Sequence, residues 1–136
     1  METNRLWNSE EKMTGKIILD TSILMTPHIH GIDIFRELER LGFTDFLVPE
    51  GVFRELKKCV EKKRGKERIA AKVGLELASM CRRIEGSGED IDNLIIELAM
   101  DSGSAIATND RELRIKAKKK GIDVVGMRGL SHLDFL

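Results

Sequence analysis

The sequence predicts one α/β domain, a parallel sheet with helices on both faces. Three observations carry this. A chain of 136 residues has room for a single compact core. Its apolar residues fall into short runs that alternate with segments of helical period. Hydrophobic residues make up 41 % and charged residues 34 %, the balance of a globular chain with a heavily charged surface.

Met1 to Gly15 is polar, with Leu6, Trp7 and Met13 as its large apolar residues. It is expected to be a partly ordered N-terminal arm ahead of a domain over 16–136. Lys16-Ile17-Ile18-Leu19 reads as a buried strand that stops at the polar loop Asp20-Thr21-Ser22. Ile32, Phe35, Leu38 and Leu41 follow a helical period that Gly42 ends. Phe46-Leu47-Val48 is a second strand, closed by Pro49, and the next helix carries Val52, Phe53, Leu56 and Val60 on one side. Helical spacing resumes with Ile69, Val73, Leu77 and Met80, and Arg82 to Ile84 is a weak strand before the flexible Gly86-Ser87-Gly88. Ile91 to Met100 is apolar on nearly all sides apart from Asp92, Asn93 and Glu97, which predicts a buried helix. Ser104 to Thr108 reads as a strand, Arg111 to Lys120 as a helix and Asp123 to Gly126 as a last strand. Short apolar strands alternating with helices are those of a covered parallel sheet.

Composition narrows the function classes. Lys+Arg and Asp+Glu are equal at 23 each, so only the distribution of charge, not its sum, can favour nucleic acid. No segment has the apolar length of a membrane span or of a signal-peptide core. Cys59 and Cys81 lie outside any metal-binding spacing and read as reduced thiols of an intracellular, cytoplasmic protein. Glutamine is absent while Lys, Arg and Glu abound, the bias of proteins selected at high temperature.

In an open parallel sheet, ligands bind beyond the carboxyl ends of the strands. Three acids fall there: Asp20 at the end of the first strand, Asp92 opening the buried helix, and Asp110 after the strand ending at Thr108. Each has an ordinary alternative as a helix cap. Asn109 with Glu112 three residues on has the spacing of a capping box, which favours Asn109 as a cap over a ligand. Asp90 and Asp92 compete to cap one helix. Together, however, several carboxylates at one sheet edge repel each other, and burying them costs several kcal/mol without compensation. Oxygen donors without Cys or His fit Mg²⁺ or Mn²⁺ rather than zinc. Such an ion can activate water against a phosphodiester, and no Ser-His or Cys-His arrangement competes with it.

Four segments in series resemble the PIN domain family: Ile18-Leu19-Asp20-Thr21-Ser22, Val48-Pro49-Glu50-Gly51-Val52-Phe53-Arg54-Glu55-Leu56, Asp92-Asn93-Leu94-Ile95-Ile96-Glu97-Leu98-Ala99 and Thr108-Asn109-Asp110-Arg111-Glu112-Leu113. The likeness runs roughly from Lys16 to Val125. It implies a Rossmann-like sheet of about five strands in the order 3-2-1-4-5, and a Mg²⁺- or Mn²⁺-dependent endoribonuclease leaving a 5′-phosphate and a 3′-hydroxyl. By position, Asp20, Glu55, Asp92 and Asp110 would be the metal-binding, catalytic acids, with Ser22 and Thr108 supporting them. Asn93 stands where some branches carry a second adjacent acid, so it contributes an oxygen but no charge. Glu55 is assigned by the resemblance alone; helical period puts it on the flank of its helix, and Glu50 is a nearby competitor.

Substrate RNA needs positive surface. The basic run between Lys57 and Arg68, above all Lys62, Lys63 and Arg64, is the first candidate, and Lys116, Lys118, Lys119 and Lys120 the second. The bland alternative is a pair of solvated helix faces. His28 and His30, in the loop after Asp20, and His132 read as surface residues. No aromatic-basic interleaving marks a base-stacking platform. The resemblance further implies a homodimer and either an antitoxin or an RNA-maturation partner. The competing reading is a non-catalytic RNA- or protein-binding PIN module. A phosphoryl-accepting receiver expects paired acids after the first strand and a lysine after the last, and neither is present.

Overall fold

The structure, a computed structural model, describes residues 14–136. The arm expected over Met1 to Gly15 therefore lies outside the described residues as far as Met13. Its last two residues are tied to the domain. The Thr14 hydroxyl donates to the Gly103 carbonyl at 2.9 Å, and the Gly15 carbonyl accepts from the amides of Thr44 and Asp45 at 2.8 Å.

The elements in chain order are β1 (Lys16–Leu19), α1 (Thr21–Leu24), α2 (Thr26–His30), α3 (Ile34–Arg40), β2 (Asp45–Pro49), α4 (Glu50–Lys62), α5 (Gly65–Ser79), β3 (Arg82–Ile84), α6 (Ile91–Ser102), β4 (Ala105–Ala107), α7 (Arg111–Lys119), β5 (Val124–Arg128) and β6 (His132–Phe135). They form a single α/β domain on a six-stranded sheet of order β3-β2-β1-β4-β5-β6. The first five strands are parallel and follow the expected order. β1 is central because it is apolar on both faces: Ile17, Ile18 and Leu19 are fully buried, with Ile17 in register with Phe46 on one side and Ala105 on the other. α5 packs on α4, α1 and α2, whereas α6 packs on α7, β1 and β4.

Three features depart from the expectation. β6 adds an antiparallel edge strand, pairing Val125 with Phe135 and Arg128 with His132. Its four residues include one fully buried side chain, Leu133, too little apolar alternation to announce a strand. The loop after Asp20 is two short helices, α1 and α2, of four and five residues, lengths at which periodicity carries no signal. α6 is amphipathic rather than buried all round: Ile95, Ile96 and Ala99 are inside, while Asn93, Glu97 and Met100 are exposed.

Gly126 matters to the site's frame. A Cβ there would stand 2.4 Å from the Thr108 carbonyl oxygen, so only glycine lets β5 run this close to the end of β4. Cys59 and Cys81 are separate free thiols, and burial pushes the Cys81 thiol up to about 11. No helix among the described residues is long and apolar enough to cross a membrane.

Candidate active site

Where β1 ends, the chain turns from strand to helix, and the turn is built on Asp20. Its backbone is extended (φ −91°, ψ 177°), and its side chain caps α1 by accepting from the Ile23 amide at 2.9 Å. The same Oδ1 accepts from the Ser22 hydroxyl at 2.8 Å, and Oδ2 accepts from the Thr108 hydroxyl. These donors are neutral, and Asp20 is only 6 % exposed. Burial raises its pKa from 3.8 to about 6; the three hydrogen bonds work against that rise, and the Asp110 charge adds to it.

Thr108 links this acid to the next. Its hydroxyl oxygen accepts from the Asp110 amide at 2.9 Å, and the Asp110 carboxylate caps α7 through the amides of Glu112 (2.8 Å) and Leu113 (3.4 Å). Asp110, not Asn109, is therefore the cap, which corrects the capping-box expectation. The Asn109 side-chain oxygen instead accepts from the Met127 amide at 2.9 Å, and its own amide donates to Ser22 at 2.9 Å. The neighbouring β5 backbone, invisible to local spacing, takes that oxygen.

The competition at α6 is won by Asp90, which accepts from the Asn93 amide at 3.1 Å. Asp92 is thereby free of the cap. Burial raises its pKa first, and Asp110, Asp90 and Glu55 push the same way, while Lys116 opposes them. Glu55 projects from the exposed flank of α4, and the Thr21 hydroxyl donates to its Oε1 at 2.5 Å.

Asp20, Glu55, Asp92 and Asp110 thus line one cleft of about 310 Å³ with Thr21 and Ser22, against an apolar wall of Met25, Ile91 and Ile95. The acids share the cleft without converging: among the described residues, no group of three or more His, Cys, Asp or Glu is drawn together as a metal cage. None has a salt-bridge partner among the described residues, whose ion pairs are Glu37–Arg40, Asp45–Arg82 and Asp134–Arg128. An all-oxygen donor set, carboxylates without an ion-pair partner among the described residues and a desolvated Asp20 fit a hard divalent cation.

The other expected residues divide. The Ser22 and Thr108 hydroxyls both donate to Asp20. Asn93 does not line the cleft; its amide nitrogen donates to Asp90 at 2.6 Å, so its side chain is committed to the cap. Glu50 opens α4 and does not line the cleft either. Lys62 ends α4 and Lys63 and Arg64 follow it, all exposed and outside the cleft. The second basic run splits: Lys116 lies within electrostatic reach of Asp92, while the Lys118 ammonium donates to the Leu136 carbonyl at 2.7 Å. His28 and His30 are exposed on α2 rather than in a loop. Thr21 escaped sequence reasoning because its partner lies 34 residues away.

The chain is similar to known proteins in sequence and in fold. Residues 17–130 match the model of the PIN-like domain, and the chain belongs to that family. Ribonuclease VapC9 of Archaeoglobus fulgidus is 36 % identical over 124 residues, covering 91 % of this chain and 89 % of the relative. Ribonuclease VapC4 of Methanocaldococcus jannaschii is 28 % identical over 124 residues, covering 88 % and 95 %. Among solved structures, the PIN domain endonuclease Utp24 superposes with a TM-score of 0.70 at 22 % identity, covering 88 % of this chain and 90 % of that one, a likeness of fold.

Proposed function

We propose that the chain is an endoribonuclease that hydrolyses RNA phosphodiesters, with Mg²⁺ or Mn²⁺ held by Asp20, Glu55, Asp92 and Asp110. The observation that carries this reading is a cleft lined by four carboxylates, none of them ion-paired among the described residues. The two relatives named as ribonucleases supply the substrate class. Held by these four carboxylates, such an ion would supply an activated water and would offset charge on the phosphodiester. The chain's own residues give the site its shape. Asp20 is immobilised by Ile23, Ser22 and Thr108, so it is the acid with the least freedom to leave the cleft. Thr108 couples its position to that of Asp110, and Thr21 holds Glu55 inward from an exposed helix flank. The walls of Met25, Ile91 and Ile95 limit water around the reacting phosphate.

Lys62, Lys63 and Arg64 contact the RNA backbone in this reading, starting about 10 Å along α4 from Glu55 at the helical rise. Family likeness adds a homodimer and either an antitoxin or an RNA-maturation partner. The test is cleavage of single-stranded RNA in Mn²⁺. Asp20→Asn is expected to lower the rate by at least about a hundredfold while circular dichroism stays that of the wild type. Full activity in the variant would refute the proposal, and a wild type that binds RNA but yields no Mn²⁺-dependent product would make the chain a binding module instead.

A further inference from the structure

A second and larger cleft, of about 520 Å³, opens beside the first and shares Glu55 and Ile91 with it. One wall is α4, contributing Arg54 and Lys58. The other is the glycine-flanked segment Ser87-Gly88-Glu89. We infer that this cleft holds the phosphodiester next to the scissile one on a single-stranded RNA, with Arg54 and Lys58 as the cations that meet it. The inference deepens the nuclease reading and rests on it.

Spacing supports the assignment. Arg54 and Lys58 are four residues apart on one helix and so lie on one face, Lys58 about 6 Å further along the axis. Glu55 stands beside Arg54 in the sequence, so the charged row begins at the carboxylate cleft and runs away from it toward Lys62. A strand leaving the first cleft over Glu55 meets these cations in turn.

The opposite wall is built rather than loose. The Gly51 amide donates to the Gly86 carbonyl at 2.9 Å, and the Arg54 guanidinium donates to the Ser87 hydroxyl at 3.1 Å, so the segment is tied to α4 at two points. A Cβ at Gly51 would stand 2.3 Å from the end of the Ile91 side chain, so this glycine permits the close approach. At Gly88 a Cβ would meet nothing within 4 Å, so the wall there is bare backbone, which a phosphate can approach closely. Two acids also line the cleft. Glu55 is the one a bound metal ion would neutralise, which would leave Glu89 against two cations. In EDTA both acids remain, and the two cations still set how far the salt slope changes when they are removed.

Fluorescence anisotropy with a labelled single-stranded oligoribonucleotide, in EDTA across a KCl series, tests the inference. The double variant Arg54→Gln/Lys58→Gln is expected to weaken binding about tenfold and to flatten the slope of log K against log salt by about 1.4, at roughly 0.7 for each phosphate no longer neutralised. Lys58→Gln alone removes no hydrogen bond seen among the described residues and should flatten the slope by about half as much. Lys16→Gln/Arg36→Gln takes the same charge from the start of β1 and from α3, outside both clefts, and should leave both readings close to wild type. In Mn²⁺ the Arg54/Lys58 variant should raise KM while kcat holds. The inference is overturned if wild type binds and cleaves RNA and Arg54→Gln/Lys58→Gln behaves like the Lys16/Arg36 variant. A wild type that neither binds nor cleaves RNA overturns the nuclease reading together with it.

Discussion

The two ends of the sheet treat their aspartates in opposite ways. At the amino end, Asp45 opens β2 and meets Arg82 at the start of β3, with nitrogen–oxygen distances of 3.3 and 2.5 Å. At the carboxyl end, Asp20 is buried among hydroxyls and a backbone amide, and its nearest charged influence is another acid, Asp110. The first arrangement is what a folded protein does with a carboxylate it has no further use for. The second costs stability, a cost that the metal ion proposed to bind there would offset. This contrast locates the site more sharply than any single motif, because a capping aspartate and a ligand aspartate look alike in sequence.

The largest way to break the contrast is Asp20→Asn, with its loss of cleavage. The next effect is on stability. In the metal-free protein Asp20 has a folded pKa of about 6 against 3.8 for the ordinary carboxyl. Below 3.8 it is protonated in both states and contributes nothing. Between the two values the unfolded chain ionises first, so the folded state binds more protons and stability falls as pH rises, by on the order of 3 kcal/mol in all. Above about 6 the loss is complete and flat. Urea titrations from pH 3.5 to 7 in EDTA should show this slope in the wild type and a shallower one in Asp20→Asn; equal slopes would mean that burial of Asp20 is not costly.

A divalent ion should reverse the cost. Mn²⁺ at about a hundred times its Kd is expected to raise Tm by roughly 10 °C in the wild type, and Asp20→Asn should lose most of that rise. A shift of equal size in both proteins would place the ion elsewhere. The smallest effect belongs to the other end of the sheet. Arg82→Gln breaks a half-exposed pair and should cost about 1 kcal/mol or less, leaving cleavage unchanged. Activity that fell with this substitution would remove the distinction between the two ends.

Much of this was legible locally. Ile17-Ile18-Leu19 is a run that only a doubly covered strand accommodates, and an acid directly after it must sit at the sheet's carboxyl edge. The same logic reaches Asp110 after Ala105-Ile106-Ala107. Local reasoning failed where a neighbour from elsewhere in the chain decided the matter. Asn109 has the spacing of a cap, yet the Met127 amide claims its oxygen and leaves the role to Asp110. β6 has one fully buried residue and exists because β5 offers it an edge.

The sequence by itself therefore determined the parallel α/β framework and the edge positions of Asp20, Asp92 and Asp110, since strand runs and helix periods are short-range patterns of hydrophobicity. Only the tertiary structure decided which acids share a cleft, that Thr21 donates to Glu55, and that Arg54 and Lys58 flank the same opening. Those relations depend on how helices seat against the sheet, and packing between elements distant in sequence leaves no periodic trace in the chain.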